Sequence, residues 1–156
     1  MSNRRLRPAT AADAPPLSAL IHRVMDQSYV GHYSAAGIAH FKAVHTAEVI
    51  ADRLQRGPVL LIQEAGVPIA TGCLDGDRIF GMFVDPVRQG AGLGRAMITA
   101  LESMAKARKL SKVVLYVSIP AYSFYERQGY VIGDEIVKDI GGGETVRFWD
   151  AEKHLT

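Results

Sequence analysis

The spacing of hydrophobic residues predicts helices in the first third of the chain and strands directly after it. Apolar residues recur every three to four positions over residues 14–26, which is the period of an amphipathic helix. Residues 47–56 follow Thr46, a residue type that caps helix N-termini, and predict another helix. Between the two, the pattern indicates only a short helix around Ile38. After Gly57-Pro58 the helical period stops, and short apolar runs ended by turn residues take its place.

These runs predict strands over 59–64, 68–74 and 78–84, in addition to one over 3–8. The Asp-Gly pair at 75–76 tolerates the positive φ that a hairpin needs, so the three runs form an antiparallel meander. The remaining predicted elements are a long helix that begins at 90–94, a strand over 112–117, a short helix over 121–128, and strands over 131–138 and 145–149.

The strand–helix–strand order from 78 to 117 predicts a right-handed crossover with parallel pairing. We therefore expect strand 112–117 to lie beside strand 78–84, parallel to it and splayed away from it near Val84. No linker or internal repeat divides the chain. The pattern predicts one mixed α/β domain over residues 1–156.

Composition excludes several classes of protein. Of 156 residues, 48% are hydrophobic and 22% charged, an ordinary globular mixture. The formal charge of +2 is too small to indicate a nucleic-acid partner. No apolar run approaches the roughly 20 residues of a membrane span. The single cysteine, Cys73, lies in an apolar run and is expected to be a buried packing residue. We expect a soluble, cytoplasmic protein without a membrane partner.

Candidate chemistry concentrates in residues 84–95, which read Val-Asp-Pro-Val-Arg-Gln-Gly-Ala-Gly-Leu-Gly-Arg between a strand and a helix. Small residues let backbone amides approach a ligand, and a helix N-terminus offers unpaired N–H groups and partial positive charge. Arg88 and Arg95 add full charges, so the segment predicts a diphosphate site. The Lys-Ser/Thr pair of a mononucleotide P-loop is missing. The glycines also follow several strands, not the first strand as in a dinucleotide fold.

This segment resembles the acyl-CoA signature of the GNAT superfamily, Gln/Arg-x-x-Gly-x-Gly/Ala, which Gln89, Gly92 and Gly94 satisfy. Residues 121–130, Ala-Tyr-Ser-Phe-Tyr-Glu-Arg-Gln-Gly-Tyr, resemble the second GNAT signature, and one helix and one strand separate the two. The resemblance implies a GNAT-like single-domain mixed sheet with a central acyl-CoA unit and helices on both faces. It also implies an N-acetyltransferase that moves acetyl from acetyl-CoA, its acyl-donor substrate, to a primary amine of a small molecule or peptide by direct attack.

The resemblance also implies residue roles. Backbone groups of residues 82–84 would pair with the pantetheine arm like an added strand, and amides of residues 89–95 would hold the pyrophosphate. Tyr125 would be the catalytic general acid that protonates the leaving thiolate, a role that a phenol can fill. Ser118 stands where GNAT enzymes often have Asn, and as a shorter donor it contacts the cofactor through water or not at all. The predicted cofactor-binding set is Met82, Phe83, Val84, Gln89, Gly90, Ala91, Gly92, Leu93, Gly94, Arg95, Ser118, Ala121 and Tyr125.

The sequence does not single out a general base. GNAT enzymes often place a carboxylate on the strand before the glycines, but residues 78–84 contain none. The remaining candidate bases are Glu64, Asp75, Asp77, His32, His40 and His45. The spacing of these histidines matches no zinc ligand set, so we predict no metal site.

The acceptor is equally open. Tyr29, Tyr33, His32 and Phe41 suggest a partly aromatic wall, and a polycationic acceptor is not favoured because no acidic cluster accompanies them. The missing carboxylate keeps a second interpretation open, a non-catalytic module that binds or senses acyl-CoA. A nucleotide-binding domain and a homodimer are also left open.

Overall fold

A single seven-stranded sheet, in the order β1-β2-β3-β4-β5-β7-β6, organises the computed structural model, which describes residues 3–156. The strands are β1 (Arg4–Pro8), β2 (Val59–Glu64), β3 (Val67–Asp75), β4 (Arg78–Val84), β5 (Lys112–Val117), β6 (Val131–Gly141) and β7 (Glu144–His154). The α-helices are α1 (Ala14–Ser28), α2 (Ala35–Ala43), α3 (Ala47–Arg56), α4 (Leu93–Ala107) and α5 (Tyr122–Arg127). Single 3₁₀ turns lie at Ala11–Asp13, Pro86–Arg88 and Ile119–Ala121.

Local sequence signals explain the helix boundaries. The Thr46 hydroxyl accepts a hydrogen bond from the Val49 amide at 3.2 Å and caps α3, as the sequence predicted. Helix α4 begins at Leu93, within the predicted start at 90–94, and its N-cap Gly92 has a left-handed backbone with φ of 80°. The glycines Gly90 and Gly92 therefore lie in a loop directly ahead of the helix.

The C-terminal hairpin is longer than the hydrophobic pattern indicated. Strands β6 and β7 pair from Val131, opposite Glu152, to Gly141, opposite Glu144, and the chain turns at Gly141–Gly143. Most of β6 is exposed, so its residues near the tip of the hairpin are polar and show no hydrophobic alternation from which the strand could be predicted.

The central crossover is parallel, which confirms the predicted pairing of β4 and β5. Only one pair of residues, Arg78 and Val114, is in register between these strands. Beyond it β5 pairs antiparallel with β7 along its whole length, and β4 pairs with β3. The two central strands therefore separate toward Val84 and Val117, as predicted, and leave an opening in the middle of the sheet.

Helices cover both faces of the sheet, each over its own hydrophobic core. Helix α4 packs on one face through Met97, Ile98 and Leu101, and helices α1 and α3 pack on the other. Cys73 is 2% exposed within the second core, and its thiol donates to the Phe80 carbonyl at 3.2 Å. Burial raises its pKa to about 12, so the thiol stays protonated and Cys73 is a packing residue. No helix among residues 3–156 is both long and apolar enough to cross a membrane.

Candidate active site

A cavity of about 450 Å³ opens where β4 and β5 separate. The end of β4, the glycine loop before α4, the start of α5 and the end of α1 form its walls. All the predicted cofactor-binding residues line this cavity except Ala91, which is exposed on the outer side of the loop. The structure therefore brings together residues that lie up to 43 positions apart between Met82 and Tyr125.

The glycines of the loop differ in what they do. Gly90 and Gly92 have φ of 87° and 80°, and a Cβ added to either would meet no atom within 4 Å. The space in front of them is open, next to the unpaired N–H groups of the first turn of α4. A Cβ on Gly94 would lie 3.0 Å from the ring of Phe124. Gly94 thus permits close packing of α4 on α5, while Gly90 and Gly92 leave room for a ligand with a diphosphate such as CoA.

The two arginines of the loop have different environments. Arg88 Nε donates to Glu64 Oε2 at 2.6 Å, so this guanidinium is already paired with a carboxylate. The predicted charge of Arg88 is thus shared with Glu64, although Arg88 also lines the cavity. The bond from Arg88 also lowers the pKa of Glu64, which makes Glu64 a poor base. Arg95 is exposed at the start of α4 and makes no ion pair with any residue in the described range 3–156.

Two buried tyrosines face the cavity from different elements. Tyr125 on α5 is 7% exposed, and burial raises the pKa of its phenol. Tyr29, at the end of α1, is 8% exposed, and burial raises its pKa to about 12. Both phenols therefore keep their protons throughout the physiological range. Ser118 also lines the cavity.

Of the predicted aromatic wall, only Tyr29 lines the cavity. Tyr33 and Phe41 lie behind it, with ring centroids 5.3 and 5.6 Å from that of Tyr29. The Tyr33 hydroxyl accepts from the Ile119 amide at 3.0 Å and donates to the Arg147 carbonyl at 2.9 Å. Tyr33 thus fastens the segment after α1 to the loop before α5 and to β7.

None of the histidines proposed as a base reaches the cavity. His45 is buried and accepts a hydrogen bond at Nδ1 from Arg53 at 3.1 Å. Burial, reinforced by the charge of Arg53, lowers the pKa of His45 to about 3, so its ring is neutral and packs against Phe83. His32 and His40 also lie outside the lining. Among the described residues that form the cavity wall there is no carboxylate and no imidazole.

Several lining residues were not predicted. Val24 and Ser28 come from the end of α1, whose position relative to the glycine loop no local pattern reveals. Arg127 and Gln128 follow Tyr125 within the second signature, and that proximity was a usable signal. Within residues 3–156, no group of three His, Cys, Asp or Glu side chains is arranged to hold a metal ion.

The family model described as acetyltransferase (GNAT) domain matches residues 29–141, which is more than half of the chain. The chain belongs to the GNAT acetyltransferase family. This confirms the predicted family and fold class, and it makes the domain one of the acetyl-CoA-dependent acetyltransferase class, with acetyl-CoA as acyl donor.

Solved structures of GNAT proteins share the architecture along almost the entire chain. The crystal structure of a GCN5-related N-acetyltransferase (aminotransferase, class II) from Rhodopseudomonas palustris is 29% identical, with a TM-score of 0.89 over 99% of this chain and 98% of that one. The PaiA N-acetyltransferase of Thermoplasma acidophilum, solved in complex with coenzyme A, is 18% identical, with a TM-score of 0.80 over 99% of this chain and 100% of that one.

One curated relative of the GNAT domain is serotonin N-acetyltransferase 2, chloroplastic, from Oryza sativa subsp. japonica. It is 29% identical over 81 residues, which cover 49% of this chain and 40% of the relative. The match therefore spans less than half of that relative's length.

Proposed function

We propose that this GNAT domain transfers acetyl from acetyl-CoA to the nitrogen of a primary amine by direct attack. The observation that carries the proposal is the shared cavity at the separation of β4 and β5. The glycine loop and the Tyr125 phenol face the same space there, so one bound acetyl-CoA can contact both.

Binding of the donor is assigned to backbone groups. Beyond Arg78 the edge of β4 that faces β5 has no registered strand partner in the described part of the chain, and residues 82–84 are proposed to pair there with the amides of pantetheine. The amides of residues 89–95 are proposed to hold the diphosphate, because the loop is open and the helix N-terminus behind it attracts anions. The thioester then lies at the inner end of the cavity.

Proton transfer completes the reaction. The amine lone pair attacks the thioester carbon, the C–S bond breaks, and the sulfur receives a proton from Tyr125. Burial raises the pKa of this phenol, so it is protonated when the donor binds but is a weak acid, and its proton moves to the sulfur as negative charge develops there in the transition state. The amine loses its own proton to water, because no carboxylate or imidazole lines the described cavity wall, and water returns a proton to the Tyr125 phenolate. The amine must therefore arrive neutral, and we expect the rate to rise with pH toward the pKa of the acceptor.

The wall near the thioester end indicates the type of acceptor. Tyr29 and Phe83 line it, with ring centroids 6.4 Å apart, and no acidic side chain among the described lining residues would attract a second ammonium group. We propose an amine with a single amino group and an apolar or aromatic body, in preference to a polyamine. Serotonin, the amine named for the rice relative, belongs in the first panel of acceptors.

The absence of a lining base favours one alternative, a domain that binds acyl-CoA without catalysis. Calorimetry with acetyl-CoA and thiol release with a panel of amines separate the two functions. We expect binding together with thiol release that is faster with aromatic monoamines than with spermidine. Binding without release for any amine would establish the alternative.

Gly92→Val tests the binding mode. A branched side chain at Gly92 would stand in the open space before α4, and we expect at least a tenfold loss of CoA affinity. The matched control is Gly76→Val, since Gly76 also has positive φ, 60°, and open space around its Cβ position but lies in the β3–β4 turn. Equal CoA affinity in the two folded variants would contradict binding at the glycine loop.

A further inference from the structure

Strand β6 forms one outer edge of the sheet. It is 11 residues long and pairs with β7 on one side, and no strand within residues 3–156 lies on its other side. The opposite edge of the sheet, β1, is only 5 residues long, carries three arginines and ends at Pro8. Short length, like charges and proline keep an edge strand from pairing with another chain. The edge at β6 is long and has charges of both signs, so it lacks these three protections.

The charges of β6 have no partners within the described fold. Asp134 and Lys138 are exposed, and neither makes an ion pair with another residue of the range 3–156. Gly133 and Asp134 lie together opposite Asp150 in a bulge, and regular alternation follows from there. Asp134, Ile136 and Lys138 therefore share one face of the sheet.

A row of apolar side chains crosses this face and ends at the edge. Tyr116 on β5 is 50% exposed, and its ring packs edge-on against Phe148 of β7 with centroids 5.3 Å apart. Phe148 lies directly opposite Ile136 of β6, so these two side chains are neighbours on the same face. The row thus ends at the half-buried Ile136, midway between the two exposed charges.

We propose that β6 pairs with β6 of a second copy of this chain, antiparallel and about a two-fold axis through Ile136. Residues that face each other across an antiparallel pair lie on the same face, so the axis must pass through a residue. With the axis at Ile136, Asp134 of each copy lies opposite Lys138 of the other. The two Ile136 side chains meet at the centre and join the two apolar rows. Cross-strand pairs of both kinds stabilise a sheet.

The charge pattern selects this register. An axis through any of the three charged residues of the segment 134–138 would place its charge opposite the same charge of the second copy. An axis through Val137 would place Glu135 opposite Asp139 twice. Like charges directly opposite each other destabilise a sheet. Among the axes through residues 134–138, only the one through Ile136 gives no like-charge pair, and the contact it forms is self-complementary, as a two-fold dimer requires.

Charge reversal tests the register, and sedimentation velocity measures the dissociation constant of the dimer. Asp134→Lys should raise this constant at least about tenfold, because both attractive pairs become Lys–Lys pairs. Lys138→Asp should do the same through Asp–Asp pairs. An equimolar mixture of the two single variants should form a heterodimer, because every lysine again lies opposite an aspartate. The double variant Asp134→Lys/Lys138→Asp should form a homodimer as readily as the unmodified protein.

Asp52→Lys is the matched control. Asp52 is exposed on α3 and makes no ion pair within residues 3–156, so this variant has the same change of net charge away from the edge. Its dissociation constant should equal that of the unmodified protein.

Three results would overturn the proposal. The first is an unmodified protein that stays monomeric up to about 1 mM. The second is a dimer that Asp134→Lys weakens no more than Asp52→Lys does, since its interface would then lie elsewhere. The third is a pair of monomeric single variants that do not associate when mixed. Monomers that form a heterodimer on mixing would establish the pairing of Asp134 with Lys138 across the two-fold axis.

Discussion

Tyr125 and Tyr29 are both buried in the wall of one cavity. Removal of the phenol oxygen of Tyr125 alone therefore tests whether this residue is the proton donor. Tyr125→Phe keeps the ring that packs against Tyr130, with centroids 5.6 Å apart, so the fold should be retained. If Tyr125 protonates the thiolate, the chemical step should slow about 10²- to 10⁴-fold. The lower end is expected because a thiol with a pKa of about 8.5 leaves readily without an acid. Single-turnover thiol release measures this step.

Tyr116→Phe serves as the control for this experiment. Tyr116 is 50% exposed on β5 and does not line the cavity, so loss of its hydroxyl should leave the rate unchanged. Full single-turnover activity in Tyr125→Phe, together with unchanged CoA affinity, would make Tyr125 a packing residue.

The two loop arginines show what a motif can and cannot predict about single residues. The segment predicts an anion site, and Gly90 and Gly92 face the open space that such a site needs. The partner of Arg88 could not be predicted in the same way, because Glu64 lies 24 positions away on β2. A pairing of that kind depends on the arrangement of the sheet and leaves no local signal in the sequence.

At the scale of elements, β4 depends on a glycine in its interior. Gly81 has φ of 64°, and Arg53 Nη1 from α3 lies 2.9 Å from the position of a Cβ on this glycine. Gly81→Ala should therefore lower the free energy of unfolding through two contributions. Backbone strain costs roughly 1–2 kcal/mol, and overpacking costs about 1–3 kcal/mol. Urea denaturation measures the free energy of unfolding.

Gly76→Ala separates these two causes. Its positive φ imposes the same strain, but the surrounding space is empty. We expect Gly81→Ala to lose at least about 1 kcal/mol more than Gly76→Ala, the lower end of the cost of overpacking. Equal losses would mean that Arg53 moves aside freely and does not support β4.

The sequence predicted β4 as an element but not its kink. Hydrophobic alternation locates a strand, whereas the positive φ of Gly81 occurs beside Arg53, which is 3% exposed and stacks 4.3 Å from the Phe80 ring. Likewise, the crossover rule predicted the parallel neighbour of β4 correctly, since handedness follows from local chirality. The full length of β6 could not be predicted, because a mostly exposed polar strand carries no hydrophobic period.

At the scale of the whole molecule, buried groups set the response of stability to acid. The pKa of His45 is about 3 in the fold and about 6.5 in an unfolded chain. Below pH 6.5 the unfolded chain therefore binds a proton that the folded protein does not. The free energy of unfolding should fall with decreasing pH by about 1.4 kcal/mol per pH unit from this residue alone. Asp13, with its pKa lowered to about 2 by Arg7, adds a loss in the same direction below pH 4.

Replacement of His45 tests this assignment. His45→Gln should reduce the slope of unfolding free energy against pH between pH 6 and 4.5 by about one proton. His32→Gln, at an exposed position, is the control and should keep the slope of the unmodified protein. An unchanged slope in His45→Gln would contradict the assignment. The absolute stability of His45→Gln is not diagnostic, because the bond to Arg53 is lost with it.

The single registered pair between β4 and β5 gives the sheet an interior edge. Backbone N–H groups of β4 that face β5 lack the protection that a neighbouring strand provides, although they lie at the centre of the fold. They should exchange their hydrogens with solvent almost as fast as those of a loop. A ligand that pairs with this edge should slow the exchange there and raise the melting temperature by mass action. The domain would then reach its full stability only while acetyl-CoA is bound. Its resistance to heat and proteolysis in a cell would therefore depend on the concentration of acetyl-CoA.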